Sequence, residues 1–128
     1  MVLNSRGAVV LGNLTSSAGT FTADASGLMS VASVKGAVLD ISGGTGLNAI
    51  SLTSTTGKID VDTTTGALKM NTATAKTVLD AQALAGDLSV GTFTAASAAL
   101  FSGNDMVLNT GTTVGNFTAD SKGGSYLG

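Results

Sequence analysis

The sequence contains no Cys, His, Glu, Pro or Trp among its 128 residues. Without His, Cys and Glu, the usual general bases, thiol nucleophiles and zinc ligands are missing, so we expect neither an enzyme nor a bound cofactor. Aromatic residues make up only 4% of the chain and charged residues 11%, whereas 43% of the residues are hydrophobic. This composition predicts a narrow core of aliphatic side chains rather than a conventional globular one.

Charge and hydrophobic run length exclude two classes of partner. The formal net charge is −2, and no basic run is present, so we do not expect nucleic acid to bind. No apolar stretch approaches the roughly 18 residues that are needed to cross a bilayer. We therefore expect no membrane span.

What the sequence does contain is a repeat of about twenty residues. Two series of apolar pairs, each pair with one residue between its members, recur at steps of 18 to 21 residues. The first series is Val9/Leu11, Met29/Val31, Ile50/Leu52, Leu68/Met70, Leu88/Val90 and Met106/Leu108. The second is Phe21/Ala23, Leu39/Ile41, Ile59/Val61, Leu79/Ala81, Ala99/Phe101 and Phe117/Ala119. The i, i+2 spacing is typical of strands, and the Gly, Ser and Thr clusters between pairs are typical of turns.

The repeat predicts an all-β fold, a parallel β-solenoid of about six coils. One coil cannot bury its own apolar face, so the neighbouring coils of the same chain are its first partners. The predicted inward side chains are Val9, Leu11, Phe21, Met29, Val31, Leu39, Ile41, Ile50, Leu52, Ile59, Val61, Leu68, Met70, Leu79, Leu88, Val90, Phe101, Met106, Leu108 and Phe117. Since no helix or charged segment caps either end, we expect residues 1–128 to be one solenoid segment cut from a longer array.

Stacking aligns outward side chains into columns, and one column is acidic. It is predicted to read Thr22, Asp40, Asp60, Asp80, Leu100 and Thr118. Carboxylates about 4.8 Å apart repel by roughly 1 kcal/mol in water. The favoured interpretation is a solvated face that limits edge pairing; a cation site formed by Asp40, Asp60 and Asp80, or an acidic catalytic strip, are the alternatives.

A second column is rich in Thr. The motifs are Thr53-x-Thr55, Thr72-x-Thr74, Thr92-x-Thr94 and Thr110-x-Thr112, whereas Asn13-x-Thr15 and Ser33-x-Lys35 break the row. Regular Thr-x-Thr rows resemble the flat faces of ice-binding solenoids. Thr is also a good strand residue, and β-propensity is the favoured explanation of the row.

Two Asn-x-Thr triplets are candidate glycosylation sites. They begin at Asn13 and Asn116. Modification there would depend on whether the host has the glycosylation machinery.

The coils resemble a known family. Segments such as Ala-Gly-Asp-Leu-Ser-Val at 85–90 and Thr-Gly-Lys-Ile-Asp-Val-Asp at 56–62 look like the repeat region of filamentous haemagglutinin. That family comprises large bacterial exoproteins exported by two-partner secretion, among them adhesins and contact-dependent inhibition toxins. The resemblance implies a right-handed parallel β-helix, a secreted or cell-surface location, and contact with host-cell surfaces or glycans. The secretion domain of the family carries Asn-Pro motifs, and this chain has no Pro, so it does not resemble that domain.

We therefore expect a structural stalk segment of a large secreted adhesin or toxin-delivery filament that presents a distal functional domain and serves virulence. One alternative is a ligand-binding β-solenoid with a sugar, cation or ice face. Another is the solenoid of a phage tail fibre or an autotransporter passenger.

Overall fold

Each coil of the chain contributes two strands. The computed structural model describes residues 1–16 and 18–127, with residues 126 and 127 described by their backbone alone. The strands are β1 (Val2–Ser5), β2 (Val9–Thr15), β3 (Thr20–Ala25), β4 (Leu28–Gly36), β5 (Val38–Gly43), β6 (Gly46–Ser54), β7 (Ile59–Thr63), β8 (Leu68–Thr74), β9 (Val78–Ala83), β10 (Leu88–Ala95), β11 (Ser97–Ser102), β12 (Met106–Thr113), β13 (Phe117–Ser121) and β14 (Ser125–Leu127).

The strands form two parallel sheets. The odd sheet has the order β1-β3-β5-β7-β9-β11-β13, and the even sheet has the order β14-β12-β10-β8-β6-β4-β2. Every strand pairs in parallel with the strand one coil away, as Leu39 with Ile59 and Ile59 with Leu79. The predicted all-β solenoid of about six turns of about twenty residues is confirmed. In the described part of the chain, no helix is long and apolar enough to cross a membrane.

The core lies between the two sheets and is filled by alternate residues of each strand. In β7, Ile59, Val61 and Thr63 are buried, while Asp60 and Asp62 alternate with them on the outward side. Fully burying an aliphatic side chain contributes about 1.5–3 kcal/mol, so a continuous column of them ties each coil to the next. The same period-2 pattern recurs in β3, β5 and β9.

The long strands of the even sheet bend near their middle, at a position here called the corner. In β6, Ala49 and Leu52 are buried, and the two residues between them, Ile50 and Ser51, both lie outward. The ladder of cross-strand partners skips the first outward position in each coil. Two successive outward residues break the pleat, so the second half of each even strand supplies a further inward column. This column reads Leu14, Val34, Leu52, Ala73, Phe93 and Gly111.

The bend in β6 contradicts the prediction that one residue, Ile50, belongs to the core. Ile50 is 59% exposed, so its assignment to the core was wrong. Ile50 and Leu52 have the i, i+2 spacing of an inward pair. At the bend, however, two successive residues lie outward between the buried residues Ala49 and Leu52, and Ile50 is the first of them. Leu47 and Ala49 occupy the inward positions of that half-strand instead.

The pair Ala99/Phe101 was assigned to the wrong side of β11. Ala98 and Leu100 are buried, whereas Ala99 is exposed and Phe101 is half-buried on the outward side. The segment 98–101 is apolar at every position, so alternation alone could not fix its phase. The structure places Leu100 beside Ala81 and Ala119, two small residues that leave room for it.

The first and last coils bury their inward side chains only in part. Val9 and Leu11 pack against the core without being buried, and Phe117 is 43% exposed although its ring stacks on Phe93 at 5.7 Å between centroids. Among the described residues these coils have a neighbour on one side only, which explains the exposure. The remaining predicted core residues are buried: Phe21, Met29, Val31, Leu39, Ile41, Leu52, Ile59, Val61, Leu68, Met70, Leu79, Leu88, Val90, Met106 and Leu108.

Candidate functional site

The outward side of the odd sheet, here called the acidic face, holds two columns of side chains. One reads Val2, Thr22, Asp40, Asp60, Asp80, Ala99 and Thr118; the other reads Asn4, Asp24, Ser42, Asp62, Gln82, Phe101 and Asp120. Six Asp residues thus lie in strands of the odd sheet, and those strands contain no Lys or Arg. The strands of the even sheet contain Lys35 and Lys69 and no Asp. Charge is therefore segregated between the two sheets.

The acidic column differs from its predicted composition at one position. Asp40, Asp60 and Asp80 are in register in consecutive coils. The next position is Ala99, not Leu100, because Leu100 points inward. The small side chain of Ala99 leaves a notch in the column just above Asp80.

The Asp carboxylates of the acidic face differ in how far neighbouring polar or basic groups offset their negative charge. Lys58 Nζ lies 3.2 Å from Asp60 Oδ2, and Gln82 Nε2 donates to Asp80 Oδ1 at 3.1 Å. Partial burial raises the pKa of Asp40, and repulsion from Asp60 and Asp62 raises it further, against a smaller opposing effect of Lys58. The acidic face thus retains unrelieved repulsion around Asp40.

A metal ion shared by the carboxylates of the acidic face would need several of them to lie close together. Among residues 1–16 and 18–127, no group of three or more Asp side chains is close enough to hold one metal ion. Successive carboxylates of a column belong to different coils, about 4.8 Å apart, whereas a bound cation needs several oxygens converging on one point. The structure therefore aligns Asp40, Asp60 and Asp80 in one column without bringing all three carboxylates to one point.

A second outward surface, here called the hydroxyl face, lies on the second halves of the even strands. Its columns are Asn13, Ser33, Ser51, Thr72, Thr92 and Thr110, and Thr15, Lys35, Thr53, Thr74, Thr94 and Thr112. The predicted row was shifted in one coil, since Thr53 pairs with Thr74 and Ser51 with Thr72. Thr55 instead lies in the turn after β6, where its N–H donates to Gly36 O at 2.8 Å. The step from Ser51 to its partner Thr72 is 21 residues, whereas the predicted row assumed the 19 residues from Thr53 to Thr72.

Buried hydroxyl groups at the turns belong to the structure of the coil. Ser54 Oγ donates to Gly57 O at 2.7 Å, and Thr63 Oγ1 donates to Gly66 O at 2.8 Å. Ser102 Oγ lies 2.7 Å from Asp105 O and 2.9 Å from Gly86 O of the preceding coil, and its single proton bonds to one of them at a time. These hydroxyls close the turns and are therefore not candidate nucleophiles.

Both candidate glycosylation sites are exposed. Asn13 lies in the edge strand β2, and Asn116 immediately precedes β13. The backbone carbonyl of Asn116 accepts a hydrogen bond from Ala98 N at 3.0 Å, which fixes the chain at this triplet.

No family model, curated protein or solved structure matches the chain. Its function must therefore be inferred from the coils and from their two outward faces.

Proposed function

We propose that this chain is a structural stalk segment of a large secreted bacterial adhesin or toxin-delivery filament of the filamentous haemagglutinin type. Its role is mechanical: stacked coils hold a distal binding or toxic domain away from the cell. The inward residues perform this role because they join each coil to the next.

One observation carries the proposal: the inward columns persist from coil to coil, whereas the outward columns change. Phe21, Leu39, Ile59, Leu79 and Ala98 form an unbroken buried column. The acidic column, by contrast, is Asp in only three consecutive coils. A repeat that keeps its packing but varies its surface favours a spacer over an array of identical ligand sites.

Coil stacking also gives the shape that a spacer needs. The odd sheet contains seven strands, and six steps of about 4.8 Å make a shaft roughly 30 Å long. Because each coil contacts its neighbours in the same way, length increases with the number of coils and not with a redesigned core.

The location of the protein on or in the bacterial cell tests the stalk proposal directly. Antibodies against the folded chain should label intact cells of the source bacterium, and electron microscopy should place the label along filaments that project from the surface. Brief protease treatment of intact cells should remove the label. Labelling that requires lysis of the cells would contradict the stalk proposal.

The hydroxyl face supports a second candidate, binding to an ordered surface such as ice. Thr72-x-Thr74, Thr92-x-Thr94 and Thr110-x-Thr112 stack in register, and their six side chains are exposed. An ice-recrystallisation assay tests this candidate with Thr94→Lys, whose column already accommodates Lys35. Loss of inhibition in this variant, but not in Thr118→Lys on the acidic face, would support it. No inhibition by the unmodified chain would exclude it.

A further inference from the structure

The acidic face contains a groove built around an outward phenyl ring. Phe101 is half-buried in a column whose other members are Asn4, Asp24, Ser42, Asp62, Gln82 and Asp120. Ala99, two residues earlier in β11, leaves the notch beside the ring. Together they form the apolar floor of a groove of about 220 Å³.

Polar groups flank this floor from the coils on either side. Asp80 and Gln82 lie in β9, and Thr118 and Asp120 lie in β13. The amide of Gln82 bonds to Asp80 Oδ1 at 3.1 Å and so holds that carboxylate in place. The strands β9 and β13 are two steps, about 10 Å, apart, so Asp80 and Asp120 line the groove on opposite sides of β11.

The ring of Phe101 already attracts a cation. Lys122 Nζ lies 5.9 Å from the centre of the ring, within the range of a cation–π interaction. Lys122 is exposed and lies just beyond the end of β13. A ligand cation would therefore compete with a flexible lysine for the same aromatic surface.

We propose that this groove binds an arginine side chain of a basic segment in a partner protein. The planar guanidinium can lie over Ala99 and against Phe101 while its N–H groups donate to Asp80 and Asp120. The odd sheet has six Asp and no basic residue in its strands, so its charge complements a basic partner. A lysine ammonium is compact and strongly hydrated, so it fits the flat floor less well.

The test is an NMR titration of the ¹⁵N-labelled chain with the peptide Gly-Ser-Arg-Gly-Ser. Amide shifts should saturate and concentrate at Asp80, Ala99, Phe101 and Asp120. The peptides with Lys or citrulline in place of Arg should bind more weakly. Methyl glucoside serves as a sugar probe for the same groove.

Two Asp residues of one column supply a matched pair of variants. Asp80→Asn should lower the affinity for the arginine peptide about tenfold, as expected when a charge-assisted hydrogen bond is lost. Asp40→Asn removes the same charge from the same column but two coils away, and it should change the affinity less than twofold. If both variants lost the same affinity for the arginine peptide, the net charge of the acidic face alone would explain the binding, and the groove proposal would be overturned.

Two further variants test the aromatic surface. Phe101→Gln introduces the residue that the preceding coil has in this column, so the fold should tolerate it, and binding should weaken several-fold. Lys122→Gln removes the competing cation and should strengthen binding. A preserved amide spectrum verifies folding, and Asp120→Asn replaces Phe101→Gln if the latter unfolds. Shifts spread along the whole acidic face, tighter binding of methyl glucoside than of the arginine peptide, or no saturable shift would each overturn the proposal.

Discussion

At the scale of the residue, position within the coil decides what a side chain contributes. Ile59 is fully buried in the column between Leu39 and Leu79, whereas Ile50 is 59% exposed at the corner of β6. The two residues have the same volume and the same β-propensity, yet only Ile59 has neighbours that would be left facing a cavity. Comparing the stability of variants at these two positions therefore separates the contribution of core packing from that of β-propensity.

Replacing Ile59 by Ala should lower the free energy of unfolding by about 2–5 kcal/mol, the range for deleting a large buried aliphatic side chain. Ile50→Ala is the matched control, and we expect it to change stability by no more than about 0.5 kcal/mol. Urea denaturation followed by circular dichroism measures both. Similar losses in the two variants would contradict the inward assignment of Ile59.

The Asp40 carboxyl makes stability depend on pH in a defined direction. Its pKa in the folded chain is raised above the ordinary 3.8 by burial and by Asp60 and Asp62. The folded state therefore holds this proton more tightly than the unfolded state, so ionisation of Asp40 destabilises the fold as pH rises through the raised pKa. Below pH 3.8 the carboxyl is protonated in both states and the destabilisation is absent.

Asp40→Asn should accordingly melt at a higher temperature than the unmodified chain at pH 7. The difference should shrink as the pH falls and vanish below about pH 3.8, where the original side chain is also neutral. Thermal melts across this range measure the effect. A variant that is less stable at pH 7, or whose advantage grows in acid, would refute the assigned cause.

At the scale of the element, the corner of each even strand is the feature that shapes the coil. The corner positions are Gly12, Ala32, Ile50, Asn71, Gly91 and Asn109. A Cβ on Gly91 would lie 2.5 Å from the backbone oxygen of Asn71, whereas a Cβ on Gly12 would have nothing within 4 Å. Neither glycine has a positive φ, so close approach rather than backbone conformation distinguishes them.

Gly91→Ala should destabilise the chain by about 1–3 kcal/mol, because a backbone atom must move to admit the methyl group. Gly12→Ala should be neutral or stabilise by up to about 1 kcal/mol, since it only restricts the unfolded chain. Chemical denaturation of both variants tests whether the backbone of Asn71 lies this close to Gly91. Equal effects would show that the corner is not packed as closely at Gly91 as the geometry indicates.

At the scale of the whole molecule, nearly all order comes from the stacking of one coil on the next. Backbone hydrogen bonds join strands of adjacent coils throughout both sheets, and the core is continuous along the shaft. Stability in such a molecule is approximately a sum over coils and their interfaces. Adding coils should therefore lengthen and stabilise it together.

Duplicating residues 59–97 in tandem inserts two coils in register, because Ile59, Leu79 and Ala98 occupy one column. The longest dimension should increase by about 10 Å, twice the strand spacing, and the melting temperature should rise. Small-angle scattering and thermal melting measure the two effects. An unchanged length or a lower melting temperature would contradict additive stacking.

The candidate sites show where tertiary structure was needed. Asp40, Asp60 and Asp80 could be placed in one column because their coils have nearly the same length and regular alternation. The groove at Phe101 could not be found, because residues 98–101 are all apolar and either phase of alternation satisfied the pattern. In the structure Leu100 lies inward between Ala81 and Ala119, and Phe101 consequently lies on the acidic face.

The sequence by itself determined that the chain is an all-β solenoid with coils of about twenty residues, since period-2 apolar pairs and their regular recurrence are local properties. The tertiary structure decided which side chain faces outward at the corners and in the apolar run of β11. The bend in each even strand changes the phase of alternation within a single strand, and its position depends on packing between coils. For the same reason, the register of the hydroxyl face at β6 and the Phe101 groove followed only from the stacking of neighbouring coils.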